Sequence, residues 1–291
     1  ANPSYVALGD SYSSGTGTRS YISDGTSCLR SVYAYPSLIA SAKGYDLNFR
    51  ACSGAKIVDV SNTQLSALSN CNGAIDKAQA YVNQTLPGAL NTLYANIKAR
   101  APQAKVTVVG YPRIFNGVDC NLLTWFSSSE MTRLNAMADL VNSTTRARAT
   151  AAGFSFADPT TPFVGHAVCS SSEWINGLSN PIQESYHPNR TGQASGYTPT
   201  VSPYLTGSTV TATAALLTTA KGSTKRLADQ QKRYAASDRA IKPALVLAPD
   251  LSTPAAKAAA KKAGVDLSSR ASIDAVDRVY SARQAAEFAA R

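Results

Sequence analysis

Short apolar runs alternate with long amphipathic stretches through the first two thirds of the chain, and this alternation constrains the fold more than any other feature. Tyr5-Val-Ala-Leu-Gly9, Asp46-Leu-Asn-Phe-Arg-Ala51, Lys105-Val-Thr-Val-Val-Gly110 and Phe154-Ser-Phe-Ala157 read as strands. Ser31 to Lys43 carries Val32, Tyr35, Leu38 and Ile39 on one helical face and stops at Gly44. Residues 77–100 read as a long helix broken near Pro87-Gly88. Ser129 to Ala152 forms another, with Met131, Leu134, Met137, Leu140 and Val141 as its apolar stripe. Residues 160–196 read mostly as loop. Strands that alternate with long helices predict a parallel sheet covered on both faces, with ligands beyond the carboxyl ends of the strands. Ser11 lies just past the end of the first strand.

From about residue 200 the composition changes. Leu205 to Tyr234 is rich in Ala, Thr, Lys and Gln and predicts one or two helices. Thr253-Pro254 is an N-cap and first-turn pair, and Gly264 suits the far end of that Ala-Lys helix. Ser272 opens a last helix, whose Val276, Val279 and Tyr280 are expected to pack against the rest of the chain. Residues 208–291 hold 14 Lys and Arg against 7 Asp and Glu, whereas residues 1–207 hold 14 against 11. The net charge of +10 therefore sits largely in the tail. A basic face of this kind is either a solvated helix surface or a patch for anionic lipid. No nucleic-acid-binding motif is present. The domain reading is a body over 1–204 and a basic, Ala-rich helical extension over 205–291.

No apolar run reaches the roughly 18 residues of a membrane span. The opening Ala1-Asn2-Pro3-Ser4 is what a mature terminus looks like after removal of a signal peptide, so a secreted protein is expected. The five cysteines, Cys28, Cys52, Cys71, Cys120 and Cys169, form no CxxC pair, and the chain has only two histidines. No metal and no cofactor are expected; spaced cysteines suit disulfides in an oxidising compartment.

Gly9-Asp10-Ser11-Tyr12-Ser13-Ser14-Gly15 is the sharpest local feature. A serine after a strand, flanked by small residues, can present its hydroxyl beside free backbone N–H groups. It is not a G-x-S-x-G elbow, since Ser13 replaces the second glycine. Of the histidines, His166 lies in the apolar Phe163-Val-Gly-His-Ala-Val168 and reads as structural. His187 lies in the polar Glu184-Ser185-Tyr186-His187-Pro188-Asn189, a suitable place for a general base. Tyr12, Tyr33, Trp125, Phe126 and Trp174 could line an acyl pocket or simply fill the core.

Together, Gly9 to Gly15, then Cys52-Ser53-Gly54-Ala55 after the second strand, then His187-Pro188, resemble the first, second and last blocks of the SGNH (GDSL) hydrolases, in the manner of the secreted actinobacterial lipases, phospholipases and esterases. The resemblance covers residues 4–200. It implies a flavodoxin-like three-layer α/β/α sandwich with a parallel sheet. It also implies hydrolysis of carboxylic esters, including phospholipids, through an acyl-enzyme. Ser11 would be the nucleophile, His187 the base, and the backbone N–H groups of Ser11 and Gly54 the oxyanion donors. By the same resemblance Cys28 pairs with Cys52 and Cys120 with Cys169, leaving Cys71 unpaired.

Two departures from the family pattern stand out. The position three residues before the histidine, usually Asp, is Glu184, so His187 is oriented either by Glu184 or by the backbone carbonyl of Ser185. The third block, a strand ending in Gly-x-Asn-Asp whose Asn donates to the oxyanion, has no counterpart between Gly54 and residue 77. About thirty residues are missing near 68–70, with Cys71 orphaned beside the gap. The alternative function is a catalytically impaired binding protein of the same fold, lacking the oxyanion Asn.

Overall fold

All four strands are present, each shorter than its apolar run. β1 (Ser4–Ala7) pairs in parallel with β2 (Asp46–Phe49), Ser4 opposite Asp46 and Ala7 opposite Phe49. β3 (Thr107–Val109) pairs in parallel with β4 (Ser155–Ala157), Thr107 opposite Ser155. The computed structural model describes residues 2–56, 71–118, 126, 128–179, 181–241, 251–252 and 254–290. Among these residues no ladder joins β1 to β3. The Ser69–Asn70 link, where the family's third block is expected, lies outside the described residues, as does Trp125. The chain is therefore of the α/β class, with small parallel sheets among many helices.

The helices between the strands follow from local chemistry. α1 is the single turn Ser11–Ser14. α2 (Tyr35–Lys43) starts four residues later than its apolar face predicts, because Pro36 fits only in the first turn; it ends at Gly44, left-handed at φ 65°. The long helix over 77–100 is two: α3 (Cys71–Gln84) and α4 (Leu86–Arg100), separated at Thr85 with Pro87 in the first turn of α4. α5 (Ser128–Ala151) packs Met137, Leu140 and Val141 around Leu86, Leu90 and Tyr94 of α4. The loop over 160–196 ends in a wide π-type turn, Gly192–Tyr197, that runs into α6 (Thr198–Thr206).

The C-terminal third adds α7 (Ala214–Gly222), α8 (Thr224–Lys232), α9 (Ala235–Asp238), α10 (Pro254–Ala263) and α11 (Arg270–Ala289). Gly264 takes the left-handed conformation after α10, and α11 begins earlier than expected because Ser269, not Ser272, caps it. Of these, α7, α8 and α11 contribute to the body's core. Leu227 and Ala228 of α8 are buried with Ala7, Leu47 and Phe49. The Gln231 side-chain amide pairs with the backbone of Phe49, 2.9 Å to its oxygen and 3.1 Å to its nitrogen, and so covers the outer edge of β2.

A correction concerns α11, where Val276 and Val279 were expected to pack. They are 37% and 73% exposed. The half-buried stripe instead runs through Asp277, Tyr280, Gln284 and Phe288, spaced three or four residues apart as one helix face requires. Val279 lies about 100° round from Tyr280. The helix docks through polar groups and one phenyl ring, not through its valines. Among the described residues no helix is long and apolar enough to cross a membrane.

Cys28 and Cys52 are bonded, and Cys169 is disulfide-bonded too. Cys120, its expected partner, and the side chain of Cys71 lie outside the described residues.

An ionic cluster also ties α9 to the segments around Arg30 and Arg50. The Arg30 guanidinium has no exposed surface; it reaches Asp24 and Asp238 at 2.6 Å each and donates through Nε to Ala51 O at 2.8 Å. Arg50 holds the other oxygen of Asp238 at 2.6 Å. A buried charge that loses its partner costs about 3–5 kcal/mol. Asp238→Ala should therefore lower unfolding stability by about that amount, read from the urea midpoint at unchanged slope; a midpoint within error of the parent would contradict it.

Candidate functional site

The turn bearing Ser11 is held from three sides. Gly9 sits at φ 140°, and a Cβ there would come within 2.6 Å of Ser13 Oγ. Asp10 caps α1, accepting from Tyr12 N at 3.0 Å through one oxygen and from the Tyr111 hydroxyl at 2.5 Å through the other. The negative charge of Asp10, with burial, holds the Tyr111 hydroxyl well above its ordinary range, so it stays a donor. The Tyr12 N–H would otherwise be one of the orphan donors of a helix start.

His187 arrives on a loop folded back on itself. Ile175 and Pro188 form an antiparallel bridge. Asn176 N donates to His187 O at 2.8 Å, and Tyr186 N donates to Asn176 O at 3.0 Å. The fully buried Asn176 side chain donates to Gly17 O at 2.9 Å and Glu184 O at 3.2 Å, tying the histidine loop to the serine loop. Gly17 makes that approach sterically possible. At its φ of 99°, a Cβ would lie 2.9 Å from both His187 Cβ and Pro188 O.

The two expected residues meet. His187 Nε2 lies 2.7 Å from Ser11 Oγ, and Nδ1 lies 2.9 Å from Ser185 O. A carbonyl can only accept, so Nδ1 carries the proton and Nε2 turns its lone pair to the serine hydroxyl. The Glu184 carboxylate does not face the imidazole: it binds the Tyr21 hydroxyl and pairs with Arg19 at 3.4 Å. Of the two orienting groups left open by the sequence, the carbonyl occupies the position. Burial raises the Glu184 carboxyl above its usual range, against the pull of Tyr21 and Arg19. Burial likewise lowers His187 below the ordinary imidazole value, against smaller opposing effects of Ser185 and Asp10.

The second segment lies beside this pair. Cys52 N donates to Gly9 O at 3.0 Å and Ser53 N to Cys28 O at 2.8 Å, bringing Cys52-Ser53-Gly54 alongside the serine turn. Among the described residues the amides of Ser11 and Gly54 donate to no other group.

The remaining candidates scatter. His166 stacks flat on Trp174 at 3.7 Å and bonds Ser172 O, not Ser11. Tyr33 packs with Phe288. Tyr12 is at the site: its ring is 5.2 Å from His187 and its hydroxyl donates to Tyr186 O at 2.7 Å. Phe126 joins Phe115 and Tyr186 in an aromatic group, with ring centroids 5.0–5.9 Å apart, next to His187 in sequence. Phe115 and Tyr186 were not singled out by the sequence, and neither was Asn176. Nothing in Trp174-Ile-Asn-Gly177 distinguishes that asparagine from any loop residue.

The sequence matches the model of the GDSL-like lipase/acylhydrolase family over residues 7–194. The chain belongs to this family. It is 40% identical over 227 residues to a lipase of Streptomyces rimosus, which spans 67% of this chain and 84% of that protein. It is likewise 40% identical over 228 residues, with the same coverage, to lipase 1 of Streptomyces coelicolor. Among solved structures it resembles the extracellular lipase of S. rimosus (38% identity, TM-score 0.63, 68% of this chain and 98% of that one). It also resembles phospholipase A1 of Streptomyces albidoflavus (36% identity, TM-score 0.62, 69% and 98%). The chain is thus a carboxylic ester hydrolase of the GDSL family. The family match stops at Ala194, so α6 to α11 lie beyond it.

A GDSL hydrolase working through this pair needs the imidazole neutral. Protonation stops it, and because burial lowers the folded value, the loss sets in further to acid than for an ordinary histidine. The acid limb of kcat/KM on a short p-nitrophenyl ester should fall with a midpoint below the unperturbed value of about 6.5. A midpoint above that value would contradict the assigned environment of His187.

Proposed function

We propose that this chain is a secreted serine esterase of lipase or phospholipase A1 type, with Ser11 as nucleophile and His187 as general base. The observation that carries the reading is the relay from Ser11 Oγ to His187 Nε2 and from Nδ1 to Ser185 O, at 2.7 and 2.9 Å. As Oγ attacks the ester carbonyl carbon, Nε2 takes its proton. The oxyanion of the tetrahedral intermediate is received by the amides of Ser11 and Gly54. The imidazolium then protonates the departing alkoxide, leaving an acyl ester on Ser11. Water attacks that ester with His187 again as base, and the carboxylic acid leaves. Each step uses the chain's own groups, and no cofactor is required.

The third donor of the family, the Asn of the missing block, bears on efficiency. Two thirds of this chain aligns across 227 positions of the S. rimosus comparison, so this chain is shorter there by about thirty residues. That supports the reading of a lost block near 68–70. Loss of one oxyanion donor typically costs about 10²–10³ in turnover, which leaves measurable hydrolysis. The fold we infer is the flavodoxin-like three-layer sandwich of residues 1–204, with residues 205–291 as a helical extension. The likeness to the two solved Streptomyces enzymes supports the sandwich. Secretion is supported by the Cys28–Cys52 disulfide and by the extracellular S. rimosus relative.

The named activities of the relatives, lipase and phospholipase A1, point to acyl esters of lipids as substrates. The group Phe115, Phe126 and Tyr186 next to His187 offers an apolar wall for an acyl chain. Exposed Lys221, Lys257, Lys261 and Lys262 on the tail helices suit an anionic lipid surface.

Ser11→Ala and His187→Ala should each reduce hydrolysis of p-nitrophenyl butyrate roughly a thousandfold or more. Full activity in Ser11→Ala would overturn the assignment. A parent protein with no hydrolysis would favour the impaired binding protein. For the lipid surface, co-sedimentation with phosphatidylglycerol vesicles at low salt should exceed that with phosphatidylcholine vesicles and weaken as salt is raised; equal binding to both would remove that part.

A further inference from the structure

The loop that carries His187 is gripped from outside by a helix far beyond the family match. Tyr280 of α11 places its hydroxyl between two groups of this loop. It accepts from Gly177 N at 2.9 Å and donates to Glu173 Oε2 at 2.6 Å. Glu173 is itself buried: its other oxygen accepts from Cys169 N at 2.7 Å, and its carbonyl accepts from Asn189 Nδ2 at 2.8 Å. Gly177 follows Asn176 directly, and Asn176 holds His187 O, Tyr186 N, Glu184 O and Gly17 O. The amide that anchors to Tyr280 is therefore one peptide unit away from the residue that fixes the histidine backbone.

A second contact leaves the same face of α11 one turn earlier. Asp277 takes both terminal nitrogens of Arg19 at 3.2 Å. Arg19 Nε faces Glu184 Oε2 at 3.4 Å. Glu184 immediately precedes Ser185, whose carbonyl orients the imidazole. Arg19 adopts φ 56°, a left-handed conformation that a non-glycine residue keeps only when its surroundings hold it there. Gly17, two residues earlier, is the point where the serine loop meets His187 Cβ. The two contacts thus close on the histidine loop from both ends, Gly177 on one side and Glu184 on the other.

We propose that Tyr280 and Asp277 of the C-terminal helix are positioning residues for His187, so that α11 is part of the working esterase and not a passive appendage. Neither side chain touches the reacting atoms; both act through the loop from Glu173 to His187. The chemistry asks for this because a general base displaced by a fraction of an ångström loses its hydrogen bond to the nucleophile, and small misplacements reduce turnover strongly. The inference rests on the assignment of His187 as base.

The test uses the full chain with p-nitrophenyl butyrate. Tyr280→Phe keeps the ring and removes both hydroxyl contacts; Asp277→Asn keeps the volume and removes the charge facing Arg19. Each should lower kcat about tenfold with KM changed less than about twofold, since the substrate-binding surface is untouched. The acid limb of kcat/KM should move towards the ordinary imidazole value as the loosened loop admits water, a change that mere loss of stability does not produce. Arg278→Ala, an exposed change on the same helix, should leave kcat and the acid limb as in the parent. Wild-type kcat and an unmoved acid limb in both Tyr280→Phe and Asp277→Asn would overturn the proposal. So would Arg278→Ala falling as far as they do. If Ser11→Ala is inactive while these variants are normal, the brace alone fails. If Ser11→Ala stays active, the underlying assignment fails first.

Discussion

Asn176 has no exposed surface, and its amide nitrogen donates to two carbonyls that belong to different loops, Gly17 O and Glu184 O. Its own backbone closes on either side of the imidazole, at His187 O and from Tyr186 N. The 2.7 Å contact between His187 and Ser11 depends on this arrangement, because the serine turn and the histidine loop come from opposite ends of the body. A single hydrogen bond between a hydroxyl and an imidazole is weak on its own, worth about 0.5–1.5 kcal/mol net. The surrounding bonds determine whether it is made at all.

The serine side is rigid for a complementary reason. Around Asp10 the rings of Tyr12, Tyr35, Tyr111 and Tyr197 stack or meet edge to face, with centroids 5.1–6.5 Å apart. Burial raises the hydroxyls of Tyr12, Tyr35 and Tyr197, lifting Tyr35 to about 12, so all remain neutral and usable as donors. Their fixed dipoles supply the hydrogen bonds that Tyr186 O, Asp10 and Gly110 O need. A carboxylate enclosed without such partners would be costly to keep charged.

Much of this was legible in the sequence, and the reasons are local. Apolar runs mark where strands and helices form, which is why β1 to β4, α2 and α5 lie close to where those runs place them, although Val6 and Leu8 of the first run are 51% and 56% exposed. The ester-hydrolase reading comes from the ordered resemblance of Gly9 to Gly15, Cys52-Ser53-Gly54-Ala55 and His187-Pro188 to the family's blocks. The Ser185 carbonyl, with Glu184 as the alternative, could be named through the resemblance to the family. What escaped was long-range and polar. The Asn176, Glu173 and Arg30 contacts join residues whose neighbours carry no pattern, so nothing in their own segments announces a partner. The valines of α11 misled for the same reason. Apolar residues signal a docked face only when the surface they meet is apolar, and the surface under α11 offers Glu173, Arg19 and Gly177 instead.

The Arg30 cluster sets an order of events as well as a stability. During synthesis Arg30 emerges with Asp24 only six positions away, whereas Asp238 lies 208 positions further along. Until that aspartate arrives, a guanidinium destined for complete burial has only one of its two carboxylate partners, and Arg50 has none of its bonds to Asp238. The first two strands can pair early, but the core they share with Leu227 and Ala228 is complete only once α8 has been made. A chain built this way matures late, and from its C-terminal end.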